Sequence, residues 1–321
     1  MRRLALLGGL LLVAGLAALT WFAGGWWGGS RVEEDTQFIV ASGSSLTAVA
    51  RQLEEEELIA SADDFLLHAR VFASDDPIKA GEFLLPAGAS PAAILETLQH
   101  GDVFLRFVTI PEGTPSIMVH EALMAEPLLT GEVAVPEEGS VLPESYDFER
   151  GEPRSAVLAR MQAAMTETLA ELWEARSENI AVTSPRDAVI LASVVEKETG
   201  VPEERRMVAG LYSNRLRSGM MLQADPTIIY PITKGKPLGR RIRRSEIDAV
   251  NGYNTYSMVG LPVGPITNPG RESIAAVLNP AETDALYMVA DGSGGHAFAA
   301  TLAEHNANVE KWRQYRREKG I

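Results

Sequence analysis

Residues 184–200 read SPRDAVILASVVEKETG. Ser184 is placed to cap a helix, Pro185 suits its first position, and Asp187 completes a capping-box-like Ser-x-x-Asp. Gly200 is a natural stop. Between these signals Val189, Ile190, Leu191, Ala192, Val194 and Val195 cover nearly every side of the axis. A helix apolar all round is buried in protein or lipid, and this one is too short and ends too charged for lipid. The segment therefore predicts the central helix of a folded domain, with Glu196, Lys197 and Glu198 in its last turn.

At about 100° per residue, Glu196 lies over Ala192 and Val189, and Glu198 over Leu191 and Val194. The two diverge by about 160°, so at most one points into a given cleft. Spacing alone does not choose between them. An anion gains nothing from the negative end of a helix, and a carboxyl leaning on Val and Ala is desolvated toward its protonated form. A protonated carboxyl near neutral pH is what glycosidic-bond cleavage needs. The plainer alternative is that both are ordinary exposed residues of a last turn.

Upstream, Arg154 to about Glu178 forms a long amphipathic helix, with Val157, Met161, Met165, Leu169 and Leu172 as its buried stripe. The region from about Met118 to Glu137 reads as mostly helical. Further back, QFIV, the helix starting near Leu46, the helix 62–72 and IKAGEFLLPAG give strand–helix–helix–strand over 37–88. That is the order of a LysM-like module, a small unit often used to bind glycan. SPAAILETLQHG adds a helix capped by Ser90 with Pro91 at its first position.

The amino terminus carries Arg2 and Arg3, then an uncharged apolar run from Leu4 to about Ala23, followed by Trp26 and Trp27. Twenty helical residues span about 30 Å, the depth of a bilayer core, and the arginines orient the start toward the cytoplasm. The expected organisation is a cytoplasmic tail at 1–3, a single-pass membrane anchor at 4–27, a linker at 28–36, the LysM-like module at 37–106 and a larger catalytic domain at 107–321. The fold class is α/β (α+β). A cleaved signal peptide is the competing reading of the anchor.

Composition excludes several functions. The chain has 321 residues, a formal net charge of −14 and no cysteine. Acidity on this scale argues against a nucleic-acid partner, and the missing cysteine removes disulfides, thiolate catalysis and Cys-based zinc sites. The five histidines include no His-Glu-x-x-His pair, and neither DGSGG nor KGKPLG has the setting of a phosphate loop. No Gly-x-Ser-x-Gly elbow is present. No metal or cofactor is expected. GRRIRRSE (239–246) is a basic cluster, most simply a solvated patch.

The helix end ASVVEKETG also resembles a signature of the YceG-like family, the MltG endolytic murein transglycosylases. IPEG (110–113), NRLRSGMMLQADPTIIY (214–230), YNTYSMVGLPVGPITNPG (253–270) and LYMVADGSGGHAFAATLAEHN (286–306) look like further family segments, in the family's order. The stretch from Glu121 to Gly151 is the least family-like. The resemblance implies an inner-membrane enzyme, with its catalytic domain outside the cytoplasm. It would cut peptidoglycan glycan strands between N-acetylmuramic acid and N-acetylglucosamine, leaving 1,6-anhydromuramoyl ends. It implies Glu196 as the essential acid, with Glu198 a neighbour, and peptidoglycan synthases as possible partners that no residue pattern reveals.

In that setting Gln223 and Asp225 offer polar groups, Tyr253 and Tyr256 rings for stacking on sugars, Asn254 hydrogen bonds, and His296 a reach into the cleft from its Gly-rich turn. Against these stand a turn-capping Asp, half-buried core tyrosines and a structural His. Asn268 reads as a cap for the helix in PGRESIAAVL. The rival functions are a muramidase, with Asp225 as the second carboxylate, and a catalytically silent glycan-binding scaffold.

Overall fold

The chain divides into two units, Met1–Arg106 and Phe107–Ile321, with separate apolar cores. The computed structural model describes residues 2–41 and 43–320, and the backbone alone at 2–12, 18 and 19.

The first unit holds α1 (Arg2–Trp27), β1 (Thr36–Val40), α2 (Leu46–Glu55), α3 (Ala62–Phe72), β2 (Gly81–Leu85) and α4 (Pro91–His100). Strands β1 and β2 pair antiparallel with Phe38 opposite Phe83, both fully buried. Ser45, Ser61 and Ser90 each accept the N–H three residues on, which is why α2, α3 and α4 start where they do. Segment 28–36, expected as a linker, is packed down: Val32 is buried and its carbonyl accepts from Gly88 N at 2.8 Å. Among the described residues no helix is long and apolar enough to cross a membrane. The expected anchor at 4–27 and tail at 1–3 lie partly outside the described side chains.

The second unit opens within β3 (Arg106–Thr109), all but whose first residue belongs to it; β3 pairs with β4 (Ser145–Phe148), and between them in the chain lies α5 (Ser116–Ala125). The helical expectation for 118–137 holds only to Ala125. Pro127 and Gly131 break it, and the freed carbonyls of Leu123, Glu126 and Gly131 are taken by the buried Arg154 guanidinium, each at 2.7 Å. Helix α6 (Arg154–Glu174) buries Val157, Met161 and Met165 and half-buries Leu169 and Leu172.

Helix α7 (Pro185–Glu198) is the centre. Every residue from Ala188 to Val195 is buried, with α8 (Arg205–Arg217) and α11 (Arg271–Leu278) packed against it. Each fully buried Val, Leu or Ile here contributes about 1.5–3 kcal/mol of transfer free energy. Ser193 is tolerated in this core because its hydroxyl donates to Ile190 O and accepts from Ile266 N at 3.0 Å, tying the proline-rich loop to the helix. Helices α9 (Pro226–Thr233) and α10 (Arg244–Ile247) precede that loop in the chain. Strands β5 (Tyr287–Ala290) and β6 (His296–Ala299) form an antiparallel hairpin followed by α12 (Leu302–Lys319).

Candidate active site

The last turn of α7 sends its two glutamates to different places. Glu198 lines a cavity of about 230 Å³ together with Tyr212, Gln223, Asp225, Tyr256 and His296. Glu196 does not line it. Its Oε2 accepts the N–H of Gly270, the residue preceding α11, at 3.0 Å, and its Oε1 lies 3.8 Å from Arg205. Arg205 in turn donates to Glu112 at 2.7 Å. Glu196 thus sits at the positive end of α11 and knits IPEG to the starts of α8 and α11. The structure thus places Glu196, the acid expected from the sequence, outside the Glu198 cavity, with its carboxylate held by a helix terminus and an arginine.

Glu198 has the surroundings of an acid. Its Oε1 is sealed from solvent without a hydrogen-bond partner. Burial, reinforced by the Asp225 charge, pushes its pKa up to about 7, against the opposing pull of a Tyr212 hydrogen bond and the Arg215 charge. A partnerless buried carboxyl oxygen favours the neutral form, so Glu198 holds a proton well above the usual carboxylate range. Burial, then the Glu198 charge, holds the Tyr212 phenol well above its ordinary value, which keeps it a donor.

Local structure brings the other groups in. Gln223 adopts φ 51°, a left-handed conformation uncommon for a residue with a side chain, and its N–H donates to Thr255 O at 3.1 Å. Ala224 N donates to the Thr255 hydroxyl, which also pairs with that of Thr227 at 2.9 Å. These buried bonds fasten the LQADPT segment to the YNTY loop and bring Asp225 beside Tyr256, whose phenol donates to Asp225 Oδ1 at 2.6 Å. Burial, then this bond, raises the Tyr256 phenol.

Two expected binding groups are elsewhere. Asn254 is fully buried and gives its amide to the carbonyls of Ile247 and Ala249 at 2.9 and 2.6 Å, so it closes its own loop and faces no ligand. Tyr253 packs its ring 4.8 Å from that of Tyr230 and is absent from the walls of the Glu198 cavity. Asn268 is not a helix cap: it receives Val141 N and donates to Thr114 O, fastening two loops to each other. Its place at α11 is taken by Glu196.

His296 reaches the cavity from the start of β6, and Glu204 holds it there. One Glu204 oxygen accepts the His296 N–H at 2.7 Å and the other pairs with ring Nδ1 at 2.8 Å. With Nδ1–H donated to the carboxylate, Nε2 is left to face the cleft. Gly295 makes this approach possible, since a Cβ there would collide with the Glu204 carboxylate. The reading of the sequence passed over Glu204 and Arg215. Arg215 is buried, donating to Leu286 O at 2.7 Å and Leu222 O at 2.6 Å, and so joins the β5 hairpin to the LQADPT segment. No metal-binding cluster occurs among the described residues.

A profile of the YceG-like family matches residues 38–311. The chain belongs to this family. It is 27% identical over 310 residues to the endolytic murein transglycosylase of Bacillus subtilis, covering 87% of this chain and 85% of that protein. It is 27% identical over 317 residues to the endolytic murein transglycosylase of Streptococcus pneumoniae, covering 83% of this chain but 56% of the relative's length. A crystal structure of a YceG-like protein from Listeria monocytogenes superposes with a TM-score of 0.54 at 24% identity, over 85% of this chain and 98% of that one. That structural likeness concerns the fold.

Proposed function

We propose that this YceG-like chain is a lytic transglycosylase that cleaves peptidoglycan glycan strands within the strand, with Glu198 as the acid. The observation that carries it is Glu198, protonated to about pH 7, in a cleft shared with Asp225, Tyr256, Gln223 and His296. Glu198 donates its proton to the glycosidic oxygen as the C1–O bond breaks. The resulting carboxylate then takes the proton of the muramoyl 6-hydroxyl while O6 bonds to C1 of the same ring. The acid is regenerated, no water is consumed, and a 1,6-anhydro end is left. Because the attack is intramolecular, one proton-transfer group suffices.

Tyr256, Gln223 and His296 are the groups available to hold sugar hydroxyl and acetamido substituents. Asp225 faces the same cleft and is the second carboxylate a muramidase would need. Digesting uncrosslinked strands and weighing the ends separates the two chemistries. Anhydromuramoyl ends are expected, and reducing ends would assign a hydrolase. Glu198→Gln should abolish cleavage and Glu196→Gln should retain it; the reverse outcome would return the role to Glu196. Strand binding without cleavage by the intact chain would instead mark a scaffold.

The same reading places a single-pass anchor at 4–27 in the inner membrane and treats 37–106 as a LysM-like glycan-binding module. It leaves the catalytic unit outside the cytoplasm, within reach of peptidoglycan synthases. The apolar Leu4–Ala23 run and the β1–α2–α3–β2 order support these assignments.

A further inference from the structure

A second cavity, of about 410 Å³, is lined in part by residues next in the chain to those of the Glu198 cleft. Two pairs of consecutive residues are divided between the two. Glu198 and Asp225 face the cleft, while Lys197 and Pro226 face the second cavity. The rest of its lining is largely apolar, including Met118, Ile229 and Ile266, with Lys236 as a second cation. Lys197 donates to Gly113 O at 3.3 Å, and Lys236 pairs with Glu121 at 2.5 Å at an exposed position, so each is held at the rim.

Charge concentrates on this side of a chain whose net charge is −14. Residues 234–244 read KGKPLGRRIRR, six cations without an acid, and their Gly235–Leu238 portion forms part of the cavity wall. Arg240 and Arg244 are answered by Glu246 and Asp248. Lys197 and the Glu121-paired Lys236 line the cavity, and Lys234 lies 5.9 Å over the Tyr230 ring that helps line it.

We infer that this cavity receives the stem peptide of the muramoyl residue being cleaved, its lysines reading the peptide's free carboxylates. The inference rests on the transglycosylase reading of the neighbouring cleft. Two properties select this occupant. The stem is attached to the muramoyl ring through its lactyl group, so a chain leaving a ring beside Glu198 starts near Lys197 and Pro226, which line the second cavity. It also alternates small apolar side chains with carboxylates, which suits apolar walls under a cationic rim. Lys197, between the two motif glutamates, therefore reads substrate while Glu198 does chemistry on it.

The test compares uncrosslinked strands bearing stems with strands stripped of them by an amidase. The intact chain should cleave the stem-bearing strands at least tenfold more efficiently by kcat/KM, and Lys197→Met with Lys236→Gln should bring that ratio to about one. Calorimetry on Glu198→Gln should show muramoyl-tripeptide binding at least tenfold tighter than N-acetylmuramic acid. Equal cleavage of both strands by the intact chain, with equal binding of both probes, overturns the stem pocket and leaves the cleavage reading intact. Tight tripeptide binding without cleavage of either strand overturns the cleavage reading and keeps the pocket.

Discussion

At Glu198 the linkage between proton and fold runs in a defined direction. The carboxyl titrates at about 7 in the folded chain against 4.5 when unfolded. Below pH 4.5 both states hold the proton, and between 4.5 and about 7 only the folded one does, so stability falls as pH rises through that window. The full gap is worth at most about 3 kcal/mol. Glu198→Gln should therefore lose cleavage while melting higher than the parent at pH 8 and about equally at pH 4. A lower melting temperature at pH 8 would contradict the buried, neutral acid. Cleavage by the parent should decline as pH rises past about 7, read as a descending limb in kcat/KM with an apparent pKa near that value.

At the scale of elements, α7 owes its position to Ser184 at one end and Glu196 at the other. Glu196→Ala removes the acceptor of Gly270 N and uncovers Arg205, which should cost about 1–3 kcal/mol in denaturant titrations while cleavage persists. Full stability in that variant would disprove the helix-terminus role. This same turn marks how far the sequence could be read. Caps, breakers and the 3.6-residue period located α2, α3, α4, α6 and α7, because those signals act over four residues. Which glutamate faced the cleft depended on what packed on each side, and α11 arrives from 75 residues downstream. Asn254 and Tyr253 looked available for sugar, yet loop burial leaves no periodic trace. Glu204 escaped notice because its meaning comes from His296, 92 residues away.

Over the whole molecule, the buried core residues described fall between Trp26 and Leu98 in the first unit and between Val108 and Ala285 in the two cores of the second. Each unit, having a core of its own, should unfold as a cooperative transition of its own. Calorimetry of the full chain should resolve two transitions, and Leu191→Ala, at the middle of α7, should lower only one of them, by about 2–5 kcal/mol in stability. A single transition that moves as a whole would refute this independence.

The absence of any room between Gly295 and Glu204 makes these positions interdependent through inheritance as well as in space. An alanine at 295 pushes the acid away from the imidazole, and a shorter acid at 204 falls short of it. Neither loss relieves the other: Gly295→Ala with Glu204→Asp should cleave no better than the worse of the two single variants, so a lineage that keeps the acid at 204 must keep the glycine at 295.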